Sequence, residues 1–413
     1  MTSNLFHKIE KCRVCGNPNL VEVLDLGDQY ISGIFPDEVD EEMPRGPLKL
    51  VKCDEEHDGA CGHVQLEHTF DLPTMYGQNY GYRSGLNSGM VKHLKEKSEK
   101  IKDKIKLKSG DIVIDIAGND GTFLGFFPED LQLLSIDPTS EKFSQFYKSN
   151  VHWIADFFSA DLFEKRFGNQ KAKVVTSFSM FYDLEDPCEF ARQVKDILAT
   201  DGIWVLEQSY MPTMWKTNSF DTICHEHLSY YGMRQIKYIM DKVGFTILDF
   251  EFNDVNGGSI SVVVAPSGTE CTTKLIGVLA LEKELGFNTV DPWEEFASRM
   301  VENRDKFLEI IGDFREQGLK IAGLGASTKG NVTLQTWGIN KEHIKMIGDV
   351  NPDKANCFTP GTWIPIDVED FVLEKYDVFV ILPWHFRNFF VRNEKFKGKT
   401  LVFPLPTPEV VVP

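Results

Sequence analysis

The sequence predicts an α/β chain with three parts: a small cysteine-rich unit, a parallel sheet with helices on both faces, and a second, smaller α/β unit. Three observations point there. Strand-like and helix-like stretches alternate through the middle of the chain, and four of the eight cysteines fall in the first 61 residues. Near the C-terminal end, "LKIAGLGASTKGN" starts a second strand–loop–helix unit. At 413 residues the chain is too long for one hydrophobic core and predicts two or three domains.

The N-terminal unit contains "CRVCGNPNLVEVLDLG" and "LKLVKCDEEHDGACGHVQL", two cysteine turns each followed closely by glycine and flanked by short alternating apolar runs. This is the pattern of a zinc ribbon. Cys12 and Cys15 have the tight knuckle spacing, whereas "DEEHDGA" separates Cys53 from Cys61. The expected ligands of a structural zinc are Cys12, Cys15, Cys53 and Cys61, with His57 or His63 as the alternative to one sulfur. Four protein ligands leave no open position for catalysis. The opening "MTSNLFHKIEKC" lacks a signal peptide's apolar run, and no window holds the ~18 apolar residues of a membrane span. A cytoplasmic location is therefore expected, where clustered cysteines mean metal more often than disulfide.

In the middle, "DIVIDIAG", "LQLLSIDP", "KAKVVTSFSMF" and "GIWVLEQSY" read as strands of a parallel sheet. "DPCEFARQVKDILATDG" reads as an amphipathic helix stopped by Gly202. After "NGGSISVVVAPSG" a charged helix is expected over 292–317, then strands at "IKMIGDVNPDK" and "YDVFVILPW".

The stretch "VIDIAGNDGTFLGFF" is a strand ending in Asp115, a turn through Ala117, Gly118, Asn119, Asp120 and Gly121, and then a helix. Small residues there let a ligand approach the backbone at the carboxyl edge of the sheet. Asp137, at the tip of the next strand, suits the two ribose hydroxyls of an adenosine group. Charge chooses between a dinucleotide and S-adenosylmethionine. Asp115 and Asp120 would repel a pyrophosphate and suit the cationic amino group of S-adenosylmethionine. In "ADFF", Asp156 is a candidate for the adenine amine and Phe157 for stacking on the ring. A net charge of −18 argues against a nucleic-acid partner, although local groups can still hold a small phosphate-bearing ligand.

"ICHEHLSYY" places His225 and His227 either side of Glu226. Proton transfer, a buried hydrogen-bond network and a metal site are the three readings. Histidine titrates near neutrality and can take a proton from a carbon beside a ketone, provided the enolate oxygen is stabilised. "NYGYRSG" offers the phenols of Tyr80 and Tyr82 for that oxygen. "NDVNGGS" reads as a turn in which Asn256 and Ser259 contact substrate or simply close a hairpin. In "GLGASTKGN" the loop amides, Lys329 and Asn331 can hold a diphosphate, unless the loop is a degenerate Rossmann turn retained for packing.

"CRVCG", "YGYRSGLN", "VIDIAGNDGTFL", "SMFYDLEDP", "DTICHEHLSYY", "NDVNGGS", "GLGASTKGN" and "NPDKANCFTPGTWIPI" occur here in one order. In this the chain resembles S-adenosylmethionine-dependent sugar C-methyltransferases, which act on nucleotide-linked keto-deoxy sugars. The resemblance spans nearly the whole chain. It implies a zinc-binding domain at 1–72, a class I methyltransferase core at 73–285 and a Rossmann-like substrate-binding domain at 286–413. It also implies that His227 is the base, with His225 and Glu226 orienting it or binding sugar, and that the partner is a nucleotide-linked keto-deoxy sugar; neither nucleic acid nor membrane is expected as a partner. Ser177 joins the expected cofactor contacts and Arg83 the expected substrate contacts; a monomer is expected. Two departures stand out: the family's second cysteine pair is usually as tight as the first, and some members have tyrosine where this chain has Cys224. Rival readings are O- or N-methylation of a nucleotide sugar, and an NAD-dependent oxidoreductase or epimerase.

Overall fold

The computed structural model describes residues 5–56, 59–71, 75 and 82–413, so His57 and Tyr80 lie outside the described residues. The N-terminal unit contains β1 (Phe6–Lys8), β2 (Leu20–Tyr30), β3 (Arg45–Cys53), β4 (Val64–Leu66) and β5 (His68–Phe70). β2, β3 and β4 form an antiparallel sheet, and β1 pairs with β5. The middle of the chain supplies β6 (Ile112–Ile116), β7 (Gln132–Ile136), β8 (Val151–Ile154), β9 (Ala172–Phe178), β10 (Leu198–Ser209), β11 (Ser229–Tyr230), β12 (Thr246–Asn253) and β13 (Ser259–Ala265). Seven of these strands form one sheet in the order β12-β13-β10-β9-β6-β7-β8. β13 runs antiparallel to both of its neighbours, and the other pairings are parallel. β11 leaves this sheet and pairs with β4, so the N-terminal sheet takes its fourth strand from the segment just after the H-E-H string.

The last unit holds β14 (Ile321–Leu324), β15 (Ile347–Asp349), β16 (Ile366–Val368), β17 (Val378–Ile381), β18 (Thr400–Phe403) and β19 (Glu409–Val411), in the order β16-β15-β14-β17-β18-β19. In both parallel sheets the strand order reverses at the first strand, β6 or β14. That reversal opens a crevice at the carboxyl edge, where ligands bind in such folds. All five residues of β6 and all four of β14 are buried, as strands covered on both faces must be.

The charged helix runs Asp291–Glu316, one residue from its expected span. Two expected features differ. The helix predicted after Gly121 shrinks to the single turn Leu124–Phe126, because Pro128 lacks an N–H and drives Phe127 to an extended ψ of 154°. Gly202 does not stop the preceding helix, which ends at Ile197. It lies inside β10, where a Cβ would come 3.0 Å from the carbonyl oxygens of Ala172 and Lys173. One apolar cluster runs from Leu48 and Leu50 through Phe220 and Ile223 to Phe307, Ile321 and Val380, so the first and last units share a core with the middle of the chain. Among the described residues, no helix is long and apolar enough to cross a membrane.

Candidate active site

A cavity of about 540 Å³ opens at the carboxyl ends of β6, β7 and β9. Its walls include Asp115, Ala117, Gly118, Asn119, Asp137 and Phe157. Ala117 (φ 58°) and Asn119 (φ 52°) occupy left-handed backbone that side-chain-bearing residues rarely adopt. The Asn119 amide donates to Asp137 Oδ2 at 2.8 Å, and its side chain spans the Tyr82 carbonyl and the Ser84 amide. At Gly118 a Cβ would sit 2.5 Å from Ser135 Oγ, so this position admits no side chain. Asp115 is buried and accepts a hydrogen bond from the Thr176 hydroxyl at 2.6 Å. Burial raises its pKa to about 7, partly offset by that bond, with Asp137 pushing it further up. A cation entering beside Asp115 would favour its ionised form. Asp137 Oδ1 accepts from the Thr139 amide and hydroxyl, which leaves one acceptor direction of the carboxylate for a ligand.

Other expected cofactor residues fall elsewhere. Ser177 is buried, with its hydroxyl accepting from Trp204 Nε1 at 2.9 Å. Asp156 turns back to accept from the Phe157 amide. Gly121 (φ 73°) makes room for the Tyr147 ring, which would lie 2.6 Å from a Cβ there. Asp120 accepts from the amides of Gly85 and Thr122 and lies 3.5 Å from Arg83 Nε, so it fastens a turn instead of facing a ligand cation. Arg83 itself stacks on Phe146 at 3.9 Å. Sequence reasoning missed Leu5, Phe6, His7, Thr69, Phe70 and Asp71, which bring the N-terminal unit over the same cavity. Each is ordinary in local sequence, and only the long-range pairing of β1 with β5 brings them there.

The H-E-H string lies in a turn, not on a strand, so its two histidines do not share a face. His225 is fully buried in the direction of the N-terminal unit. Its Nε2 lies 3.2 Å from the Gly46 carbonyl, and its ring meets Phe70 edge-on at 4.6 Å. Its expected grouping with His227 is therefore corrected: it joins the N-terminal sheet to the core. His227 Nδ1 lies 2.8 Å from the Thr222 carbonyl, which can only accept, so Nδ1 carries the hydrogen and Nε2 keeps its lone pair. Tyr182 packs on the imidazole at 4.3 Å, and the adjoining Leu228 lines the cavity. Burial lowers the His227 pKa to about 4; the Thr222 bond opposes this and the Lys329 charge adds to it. Glu226 reaches toward the other units: Oε1 is 2.7 Å from where a Cβ on Gly33 would lie, and Thr328 Oγ1 is 3.8 Å from that point. Burial raises its pKa. Cys224, where some resembling proteins carry tyrosine, is buried beside it.

Tyr82 borders the cavity. Lys329 Nζ donates to the Asn256 carbonyl at 2.7 Å, and Asn256 Nδ2 contacts Ser179 Oγ at 3.2 Å. Because Ser179 lines the cavity, these two bonds connect it to the "GLGASTKGN" loop. Ser259 turns its hydroxyl into its own turn, donating to the Val255 carbonyl at 2.8 Å. Asn331 is buried and donates to the Ser32 carbonyl, which joins the last unit to the first.

Cys12, Cys15, Cys53 and Cys61 converge with all four sulfurs within 4.8 Å of one another. The Cys12–Cys61 and Cys15–Cys53 sulfurs lie 3.6 Å and 3.5 Å apart, close to the edge of a tetrahedron of thiolates around zinc. Gly16 (φ 81°) and Gly62 (φ 67°) turn the backbone just after each knuckle. His63 is occupied elsewhere, with Nε2 3.0 Å from Ser229 Oγ. The four sulfurs fit a structural zinc.

Three family models match in succession: "Putative zinc binding domain" over residues 12–76, "Methyltransferase domain" over 90–249 and "C-methyltransferase C-terminal domain" over 254–406. This chain is an S-adenosylmethionine-dependent methyltransferase. Its middle sheet is a class I methyltransferase core, and its cofactors are S-adenosylmethionine and zinc. The chain is 27% identical to the C-methyltransferase NovU of Streptomyces niveus, over 99% of this chain and 98% of that protein. A solved S-adenosylmethionine-dependent methyltransferase from Clostridium acetobutylicum is 12% identical, covering 43% of this chain and 92% of its own at a TM-score of 0.33.

Two outcomes follow from this geometry. Asp137→Ala weakens S-adenosylhomocysteine binding at least about tenfold in calorimetric titration, because the lost carboxylate both holds the Asn119 loop and faces the cavity. Elemental analysis of the purified protein finds zinc, while Cys53→Ser loses it and unfolds roughly 5 °C or more lower by calorimetry.

Proposed function

We propose that this methyltransferase acts on carbon, methylating the position beside the ketone of a nucleotide-linked keto-deoxy sugar, with His227 as the base. The observation that carries this reading is the His227 tautomer. A donor hydrogen bond from Nδ1 to the Thr222 carbonyl leaves Nε2 as the acceptor, and the depressed pKa keeps the ring neutral at physiological pH. Support also comes from the C-methyltransferase model over 254–406 and from NovU, whose name states carbon methylation.

In this scheme Nε2 takes the proton from the carbon beside the ketone, and the bonding pair moves into an enolate. Tyr82, on the cavity wall, is the candidate donor to the ketone oxygen. Bound S-adenosylmethionine supplies an electrophilic sulfonium methyl, which the enolate carbon accepts. Asp115, Gly118, Asn119, Asp137 and Phe157 would hold the cofactor. The N-terminus of the helix Thr328–Trp337, capped by Ser327, faces the junction with Glu226; together with Lys329 it suits the diphosphate of the sugar nucleotide. We divide the chain accordingly: a zinc-binding domain at 1–72, a cofactor-binding domain at 73–285 and a substrate-binding domain at 286–413.

His227→Asn lowers methylation of a nucleoside diphosphate-linked keto-deoxyhexose by about 10²–10⁴-fold, while S-adenosylhomocysteine binding stays near wild type. Unchanged turnover in this variant would sink the reading. The acid limb of kcat/KM falls near pH 4, since activity needs the neutral imidazole. Lys329→Met removes a charge that opposes protonation of His227, so the limb moves to higher pH, as a rate profile in constant-ionic-strength buffers would show.

A further inference from the structure

Asp221 is completely buried in the short turn Phe220–Thr222. Its Oδ2 accepts a hydrogen bond from Trp384 Nε1 at 2.7 Å, and Trp384 belongs to the last unit of the chain. The next residue, Thr222, supplies the carbonyl to which His227 Nδ1 donates. A hydrogen bond from the last unit thus ends one residue away from the acceptor that chooses the His227 tautomer.

The rest of this turn is held from the same side. Asn218, in left-handed backbone at φ 51°, donates to the Phe296 carbonyl and accepts from Asn303 Nδ2. Phe220 packs against Trp337 with ring centroids 5.3 Å apart. Phe296 and Asn303 lie on the helix Asp291–Glu316, and Trp337 ends the helix Thr328–Trp337. The turn that fixes the imidazole therefore takes its anchors from residues beyond 286.

We propose that the Asp221–Trp384 hydrogen bond is a positioning pair, holding the Thr222 carbonyl so that His227 presents Nε2 only while the last unit is docked on the core. The proposal rests on the reading of His227 as the base. The indole is the donor that reaches Asp221 Oδ2, and its loss leaves that oxygen without its hydrogen-bond partner in the core. The turn then has reason to shift. Asp221 and Trp384 touch no reacting atom in this scheme; they act through the imidazole. Docking of the substrate-binding unit and readiness of the base become one event.

The test uses the full-length zinc-loaded protein. Nitrogen-15 spectra of its histidines, with His227 assigned by difference from His227→Asn, are expected to show a single Nδ1–H tautomer in the wild type. Trp384→Phe, which keeps an aromatic ring but removes the donor, is expected to give a mixed or inverted tautomer. Its kcat on a nucleoside diphosphate-linked keto-deoxyhexose should fall at least about tenfold, with KM and S-adenosylhomocysteine affinity within about threefold of wild type. Asp221→Asn keeps an oxygen that can accept from Trp384 and should retain the tautomer, whereas Asp221→Ala should behave like Trp384→Phe. If Trp384→Phe fails to fold by circular dichroism, the two Asp221 variants carry the comparison. A single Nδ1–H tautomer in both Trp384→Phe and Asp221→Ala would overturn the proposal, as would an Asp221→Asn as impaired as Asp221→Ala. Retained turnover in His227→Asn would instead overturn the assignment of the base, whatever the tautomer shows.

Discussion

One carbonyl group, that of Thr222, decides which nitrogen of His227 is available, and the segment around it is where all parts of the chain meet. Between Asn218 and Ser229, four polar side chains bond into the other units. Asn218 and Asp221 bond to the last unit, His225 reaches the Gly46 carbonyl in β3, and Ser229 meets His63 while its own strand extends the N-terminal sheet. Tyr231 returns the chain to the core through the Met211 amide. The density of titratable groups in "ICHEHLSYY" thus has a mixed origin. His225 serves assembly, while His227 keeps an acceptor nitrogen.

The zinc knuckles belong to this assembly as well. A unit as small as this one buries little apolar surface of its own, and a tetrahedral ion supplies the crosslink that it lacks. Cys12, Cys53 and Cys61 pack into the same apolar cluster as Tyr231, Met233 and Ile236. Two hydrogen bonds seat the knuckles on core helices: Gln235 Nε2 donates to the Cys61 carbonyl, and Cys188 Sγ meets the Val14 carbonyl. What the metal orders is therefore larger than the knuckles themselves. The N-terminal unit they brace carries Gly46 of β3 and Phe70 of β5 against His225, and β1 and β5 wall the cofactor cavity.

Much of the architecture was legible because it depends on local pattern. β-branched runs such as "IVIDI" read as strands covered on both faces, and the four cysteines needed no more than their spacing and neighbouring glycines to suggest a shared ion. The cofactor edge was legible at Asp115, Ala117, Gly118, Asn119 and Asp137 for the same reason: strand ends and tight turns are sequence-local. What escaped was set by distance along the chain. Nothing near His225 announces that Phe70 lies beside it, and nothing near Asp120 announces that the Gly85 amide would claim its carboxylate. Ser177 sits in a strand run that points alternate residues to opposite faces, so a one-residue difference separates the cavity from the indole of Trp204. Trp384 carries no signal at all until the last unit is placed against Asp221.

A base with a pKa near 4 is a weak one for removing a proton from carbon, and the charge distribution suggests why it suffices. The cofactor side of the cavity is acidic, with Asp115, Asp137, Asp183 and Glu185 in its walls, which suits a cationic donor. Around His227 the field of Lys329 is positive: it adds to the burial that lowers the pKa of His227 and His385, and partly offsets the burial that raises that of Asp221. Forming an enolate moves negative charge onto an oxygen. In the proposed scheme, the positive field that weakens the imidazole as a base also stabilises the enolate that the imidazole makes. On the proposed chemistry, the proton is lost because the carbon acid is made stronger, not because the base is strong.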